Sequence, residues 1–188
     1  MSNQYKPHDA DIRVGRLLGI EVSLAQGFAL GTVAVLVVFW MVGIVVFHRR
    51  PANALAGAFA LTLLHWLNEL VHNYGHYRAA RSTGFPMEGV RLGTRESLSV
   101  FGTSVYPTGE QELSARVHIR RALGGPIANA ILGVVGLLPL LLLSATGSHF
   151  AWVAVVFVAE NLLVFAVGNL LPVGFNDGST LLHWMRRR

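Results

Sequence analysis

His65-Trp66-Leu67-Asn68-Glu69-Leu70-Val71-His72-Asn73-Tyr74-Gly75-His76 places three histidines and one glutamate within twelve residues. It closes an apolar run that begins near Ala52, and it reads as the last turns of a long helix. At about 100° per residue, with His72 taken as zero, His65 falls near +20°, His76 near +40° and Glu69 near +60°. Three imidazoles and one carboxylate therefore share one narrow stripe. Imidazoles at i and i+4 can hold a metal ion between them. Where such a pair drives hydrolysis, a Glu directly follows the first His and acts as general base on the attacking water. Asn73 stands at that position here.

Composition gives the stripe its setting. The chain has 188 residues, enough for one domain, with 53% hydrophobic and only 13% charged residues. Soluble domains carry about a quarter charged residues. The mean hydropathy of +0.50 also points to a membrane-embedded chain. There is no cysteine, so any metal must be held by His, Asp, Glu or Asn. No signal peptide is evident in the mixed polar opening.

Outward from the stripe, four transmembrane spans are expected in an all-α polytopic protein. Residues 1–24 form a polar arm in which Lys6, Arg13 and Arg16 balance Asp9, Asp11 and Glu21, lying at the membrane surface. Residues 25–185 form a single membrane-embedded domain. Its spans run over about 25–47, 52–77, 125–144 and 150–180, the first of them close to the roughly 20 residues that cross the hydrocarbon. His48-Arg49-Arg50 ends the first, and Pro51 suits the first turn of the second. Gly147-Ser148-His149 is a tight turn. Gly168, Pro172, Gly174 and Gly178 break the fourth span, which is tolerated at membrane depth only inside protein or beside a wet cavity. The polar stretch at 78–120 holds short apolar pieces, and 85–107 reads as a small membrane-associated β or loop segment.

Every Lys and Arg except Arg49 and Arg50 falls on one side of this arrangement. The positive-inside rule then puts both termini in the cytoplasm, with His72 and His76 near the cytoplasmic end of the second span. The formal charge of +5 is thus a topology signal, and no nucleic-acid partner is expected.

Ionisable groups within a span are costly and mark function. His65, Glu69, His72 and His76 fit that description, as does Glu160 beside Asn161. Further along, Gly125-Pro126-Ile127-Ala128-Asn129 combines small residues with an amide suited to an interhelical hydrogen bond. Asn169-Leu170-Leu171-Pro172 leads to Asn176-Asp177-Gly178. A carboxylate beside a helix break can turn toward a neighbouring helix and complete a tetrahedral site of two His, one Asp and one water.

The order and spacing of these three motifs, after the lead-in Val14-Gly15-Arg16-Leu17-Leu18-Gly19-Ile20, resemble the site-2 protease family of intramembrane zinc metalloproteases. The resemblance covers roughly residues 13–180. It implies Zn2+ held by His72, His76 and Asp177, with Asn169 near the site steadying the scissile carbonyl or the substrate strand. It also implies that 85–107 offers a β edge to an unwound single-span substrate.

The departure falls at Asn73, where the family has Glu. An amide cannot take a proton from water at neutral pH, and general-base catalysis is worth about 10²–10⁴-fold. Glu69 lies about 40° round the helix and roughly 6 Å along it, within reach of a displaced-base role or of an ion pair to another helix. His65, roughly 10 Å along the axis from His72, is too far to share an ion. Glu160, roughly 25 Å of helix from Asp177, is assigned to packing or substrate contact. Trp40, Trp66, Trp152 and Trp184 read as packing or interfacial aromatics.

Three functions follow as expectations. The first is a site-2-protease-like metalloprotease cleaving single-span membrane proteins, with activity weakened or lost at Asn73. The second is a non-catalytic scaffold, a pseudoprotease that binds transmembrane partners. A metal or proton transporter comes third. The membrane expected is the plasma membrane of a prokaryote.

Overall fold

A computed structural model describes residues 11–93, 101–107, 113–174 and 176–187. Four helical segments within them are long and apolar enough to cross a membrane: Phe28–Val45, Pro51–Ser82, Ala115–Ala145 and Ala151–Leu170. The first three are α1, α2 and α3. The fourth begins as α4 (Ala151–Ala159), continues as a π-helix over Glu160–Val167 and ends in a 3-10 turn at Gly168–Leu170. After a turn, α5 (Asp177–Met185) completes the described chain.

Strands lie in two places, and the first was not expected. Residues 11–24, read from composition as a polar arm, instead contain β1 (Ile12–Leu17) and β2 (Ile20–Leu24). Their sequence alternates apolar with polar residues, which is strand periodicity. The connection is the two residues Leu18 and Gly19, with φ of 52° and 89°. Positive φ at both central positions matches the twist of the flanking strands and closes a tight hairpin.

The expected β segment supplies β3 (Gly89–Leu92) and β4 (Gly102–Val105); residues 94–100 and 108–112 lie outside the described residues. The sheet order is β1-β2-β3-β4. β2 and β3 pair in parallel, and the other two pairs are antiparallel. A parallel pair needs a long crossover, and here the α1–α2 helical hairpin provides it. One face of the sheet therefore lies against the end of α2, where Ile20, Val22, Val90 and Leu92 pack with Trp66, Tyr77 and Met87.

The helical boundaries also shift. Helix α2 runs on past the expected residue 77 to Ser82, and α3 starts at Ala115, ten residues before Gly125, with Pro126 inside it. Much of α3 faces outward: Ile127, Ile131, Val134, Val135, Leu138, Leu141 and Leu142 are all more than half exposed. A row of that size on a water-soluble surface would be unfavourable, and it suits contact with lipid. Half of the most apolar window of α2 is buried, against 17% for α3, so α2 is the central helix.

Small residues set the spacing around α2. A Cβ on Gly57 would run into the indole of Trp152 on α4, and a Cβ on Gly75 would strike the Gly124 carbonyl of α3. Without a hydrophobic force between helices in lipid, such close backbone approach is what holds them. Trp66 donates to Thr32 Oγ1 (3.1 Å), Trp40 donates to the Pro51 carbonyl (3.0 Å), and Trp184 stacks on His118. A Gly57→Val substitution should overpack the α2–α4 contact. The expected loss is about 1–3 kcal/mol, read as a lower thermal midpoint in detergent with the metal content unchanged.

Candidate metal centre

Helix α2 presents His72 and His76 on its α3-facing side, both buried. Asn176 caps α5 by accepting from the Ser179 N–H (3.2 Å), and it ties back by donating to the Leu171 carbonyl (2.5 Å). This turn delivers Asp177, the first residue of α5, to the two imidazoles. His72 Nε2 lies 3.2 Å from Asp177 Oδ2, His76 Nε2 lies 3.4 Å from Asp177 Oδ1, and the two Nε2 atoms are 3.0 Å apart. A zinc ion with ligands at about 2.0–2.1 Å in a tetrahedron needs ligand atoms about 3.3 Å apart. The three side chains fit that requirement and, among the described residues, are the group of His, Asp and Glu able to hold a metal ion.

The outer hydrogen bonds agree with that fit. His72 Nδ1 donates to Asn129 Oδ1 (2.9 Å), and His76 Nδ1 donates to the Arg121 carbonyl (2.8 Å). Each imidazole, when neutral, is thereby left with its Nε2 lone pair facing the centre, which is how a metal-binding His is oriented by its second nitrogen. Two lone pairs 3.0 Å apart call for a cation between them. Space is kept by Gly125 of α3, where a Cβ would collide with both Nε2 atoms. Asn169 Nδ2, in the 3-10 turn, stands 3.5 Å from His72 Nε2, at the brim of the site.

The remaining members of the stripe turn elsewhere. Asn73 donates to the Glu69 carbonyl (2.8 Å) and approaches Glu69 Oε2 (3.4 Å), while its Oδ1 accepts from Ser104 Oγ of β4 (2.7 Å). Glu69 Oε2 accepts the Gly102 N–H of β4 at 2.8 Å. Both side chains thus join α2 to the edge strand. Deeper in the helix, His65 donates to Glu160 Oε1 (2.6 Å) and Asn68 donates to Glu160 Oε2 (2.8 Å). Glu160 is therefore held by α2.

Four contributors were not foreseen: the Arg121 carbonyl, Gly102, Ser104 and Asn161. The first two act through backbone atoms, which leave no mark in side-chain chemistry. Asn161 stood out only as an amide in an apolar run. Gly125 was read as a packing residue, and its role in leaving room for two nitrogens depends on the crossing of α2 and α3. A Gly125→Ala substitution places a methyl group between the imidazoles. Zinc bound on titration of the purified protein should fall toward zero relative to the wild type, with helical circular dichroism retained.

No protein-family model matches the chain, and no curated protein does. Among solved structures, the fold is similar to that of the Site-2 Protease from Methanocaldococcus jannaschii, with a TM-score of 0.54 and 22% sequence identity. The match covers 94% of this chain and 71% of the archaeal one. The likeness is one of fold: helices of membrane-spanning length with a small sheet, and nearly the whole of this chain lies within it.

Proposed function

We propose that the protein is a site-2-protease-like intramembrane zinc metalloprotease with weakened hydrolysis, acting on extended segments of single-span membrane proteins. The observation that carries this reading is the His72–His76–Asp177 group, in which both Nδ1 atoms are used for orientation and both Nε2 atoms face one carboxylate. Zinc bound there would polarise a carbonyl and lower the pKa of water toward about 7.

The chain's own residues supply the rest. His72, His76 and Asp177 fix a shared point, Gly125 leaves it open, and Asn169 offers an amide donor at its brim. β4 is an edge of the sheet, and an unwound substrate strand can pair along such an edge. Asn73 cannot take up a proton and is bonded on both of its polar atoms. Glu69 is the carboxylate next to it, and in this reading it is the base, reached when its bond to Gly102 N–H is exchanged for water.

Cleavage of a helix-breaking single-span substrate in detergent with zinc tests this. The wild type should cut slowly, Asn73→Glu should raise the rate by about 10²–10⁴-fold, and Glu69→Ala should abolish the wild-type activity. A wild type that is inert while Asn73→Glu cuts would favour the second reading, a pseudoprotease that grips transmembrane partners. The observation behind that reading is the Glu69–Asn73 attachment to β4, which occupies both groups. Partner binding by a scaffold should then survive His76→Ala.

The orientation that goes with this reading has both termini in the cytoplasm of a prokaryotic cell. Since the chain lacks cysteine, single-cysteine variants report sidedness directly. Ser148→Cys should react with an impermeant maleimide from outside intact cells, and Ser82→Cys should react only after lysis.

A further inference from the structure

His76 takes its orientation from the main chain: its Nδ1 lies 2.8 Å from the Arg121 carbonyl, with the Gly125 amide nitrogen at 3.3 Å. At His72 the partner of Nδ1 is instead a side-chain amide, Asn129, and an amide can flip. With its oxygen toward His72 the amide accepts from Nδ1 and leaves Nε2 as the ligand atom. With its nitrogen toward His72 it would donate to Nδ1, move the ring proton to Nε2 and block the metal position. Something must decide between these.

The deciding contacts lie in the π-helical part of the fourth span. Asn161 Nδ2 donates to the Phe157 carbonyl at 2.9 Å, one turn back on its own helix. Its Oδ1 is thereby turned to α3, where it accepts from Asn129 Nδ2 at 2.8 Å. Asn129 Nδ2 also reaches the Asn68 carbonyl at 3.4 Å. Asn129 Oδ1 is then left to His72 Nδ1. Both Asn129 and Asn161 are fully buried, so water cannot substitute for a lost partner.

We infer that Asn161 is a positioning residue that sets the tautomer of His72, passing the polarity of the Phe157 carbonyl through two amides to the metal-facing nitrogen. Asn161 is the second residue of the π-helical segment. Such segments often mark functional positions within helices, and this one has its amide bonded back to a carbonyl of the preceding α-helix. The inference rests on the metal-centre reading, and it adds to that site a fourth helical element, whose Phe165 also lies beside the His72 ring with centroids 5.8 Å apart.

Asn161→Leu and Asn161→Asp separate positioning from packing. A neutral Asp carboxyl can still donate to the Phe157 carbonyl and accept from Asn129, whereas Leu can do neither. In metal-free protein labelled with 15N-histidine, with His72 assigned by loss of its signals in His72→Gln, the wild type should show the Nδ1–H form. Asn161→Leu should show the Nε2–H form as well and bind zinc about 10–100-fold more weakly by chelator competition; Asn161→Asp should keep both wild-type properties. Asn161→Ala adds no bulk and gives the same reading should the Leu variant not fold. A packing role predicts the reverse order, with Leu tolerated and Asp damaging. Unchanged tautomer and zinc affinity in both Asn161→Leu and Asn161→Ala would overturn the inference. If the wild type binds no zinc yet the tautomer changes as described, the metal reading fails and the role of Asn161 stands.

Discussion

The close approach of α2 and α3 at Gly75 and Gly124 sets the geometry around the two imidazoles. Each glycine lacks a Cβ at the point where the other's backbone passes. Because the two helices meet there, His76, one residue after Gly75, comes within hydrogen-bond reach of the Arg121 carbonyl. His72, one turn earlier, comes within reach of Asn129. Gly125 then faces the gap between the two rings. A wider crossing would leave both imidazoles without orienting partners and would cost the buried polar groups their hydrogen bonds, which lipid cannot replace.

A membrane interior makes polar side chains expensive, and this protein concentrates them along one line. Asn68, Glu69, Asn73, Asn129 and Asn161 are almost wholly buried, and they link α2 with α3, with the π-helix and with β4. Near the sheet the line carries Glu69 and Asn73. At the level of the metal group it carries Asn129 and Asn161, and deeper still it carries His65, Asn68 and Glu160. The same amides that satisfy each other also fix which nitrogen of a ring is free. Stability and chemistry are therefore coupled at these positions.

The sheet has a part in this beyond surface cover. By pairing in parallel with β3, β2 ties the start of the chain to the segment after α2, so the hairpin and the edge strand are held together at one end of α2. Gly102 and Ser104 of β4 then meet Glu69 and Asn73 directly. Asn73 thus sits at the junction between the edge strand and the helix of the two imidazoles, where an amide can both donate and accept.

Legible in the chain alone were the membrane-like composition, four apolar runs and the pair of imidazoles at i and i+4. Composition and hydrophobic run length report burial in lipid directly, and a helix of known pitch places His72 and His76 on one face. The strands Ile12–Leu17 and Ile20–Leu24 carry an apolar–polar alternation, but their balanced charges equally fit a polar surface arm. The folded chain alone shows that Asp177 turns to the imidazoles, that Glu160 pairs with His65, that Glu69 and Asn73 bind an edge strand, and that Asn161 stands behind Asn129. These contacts join residues far apart in the chain through single backbone or side-chain atoms. Their existence depends on how two helices cross, and no local pattern encodes a crossing.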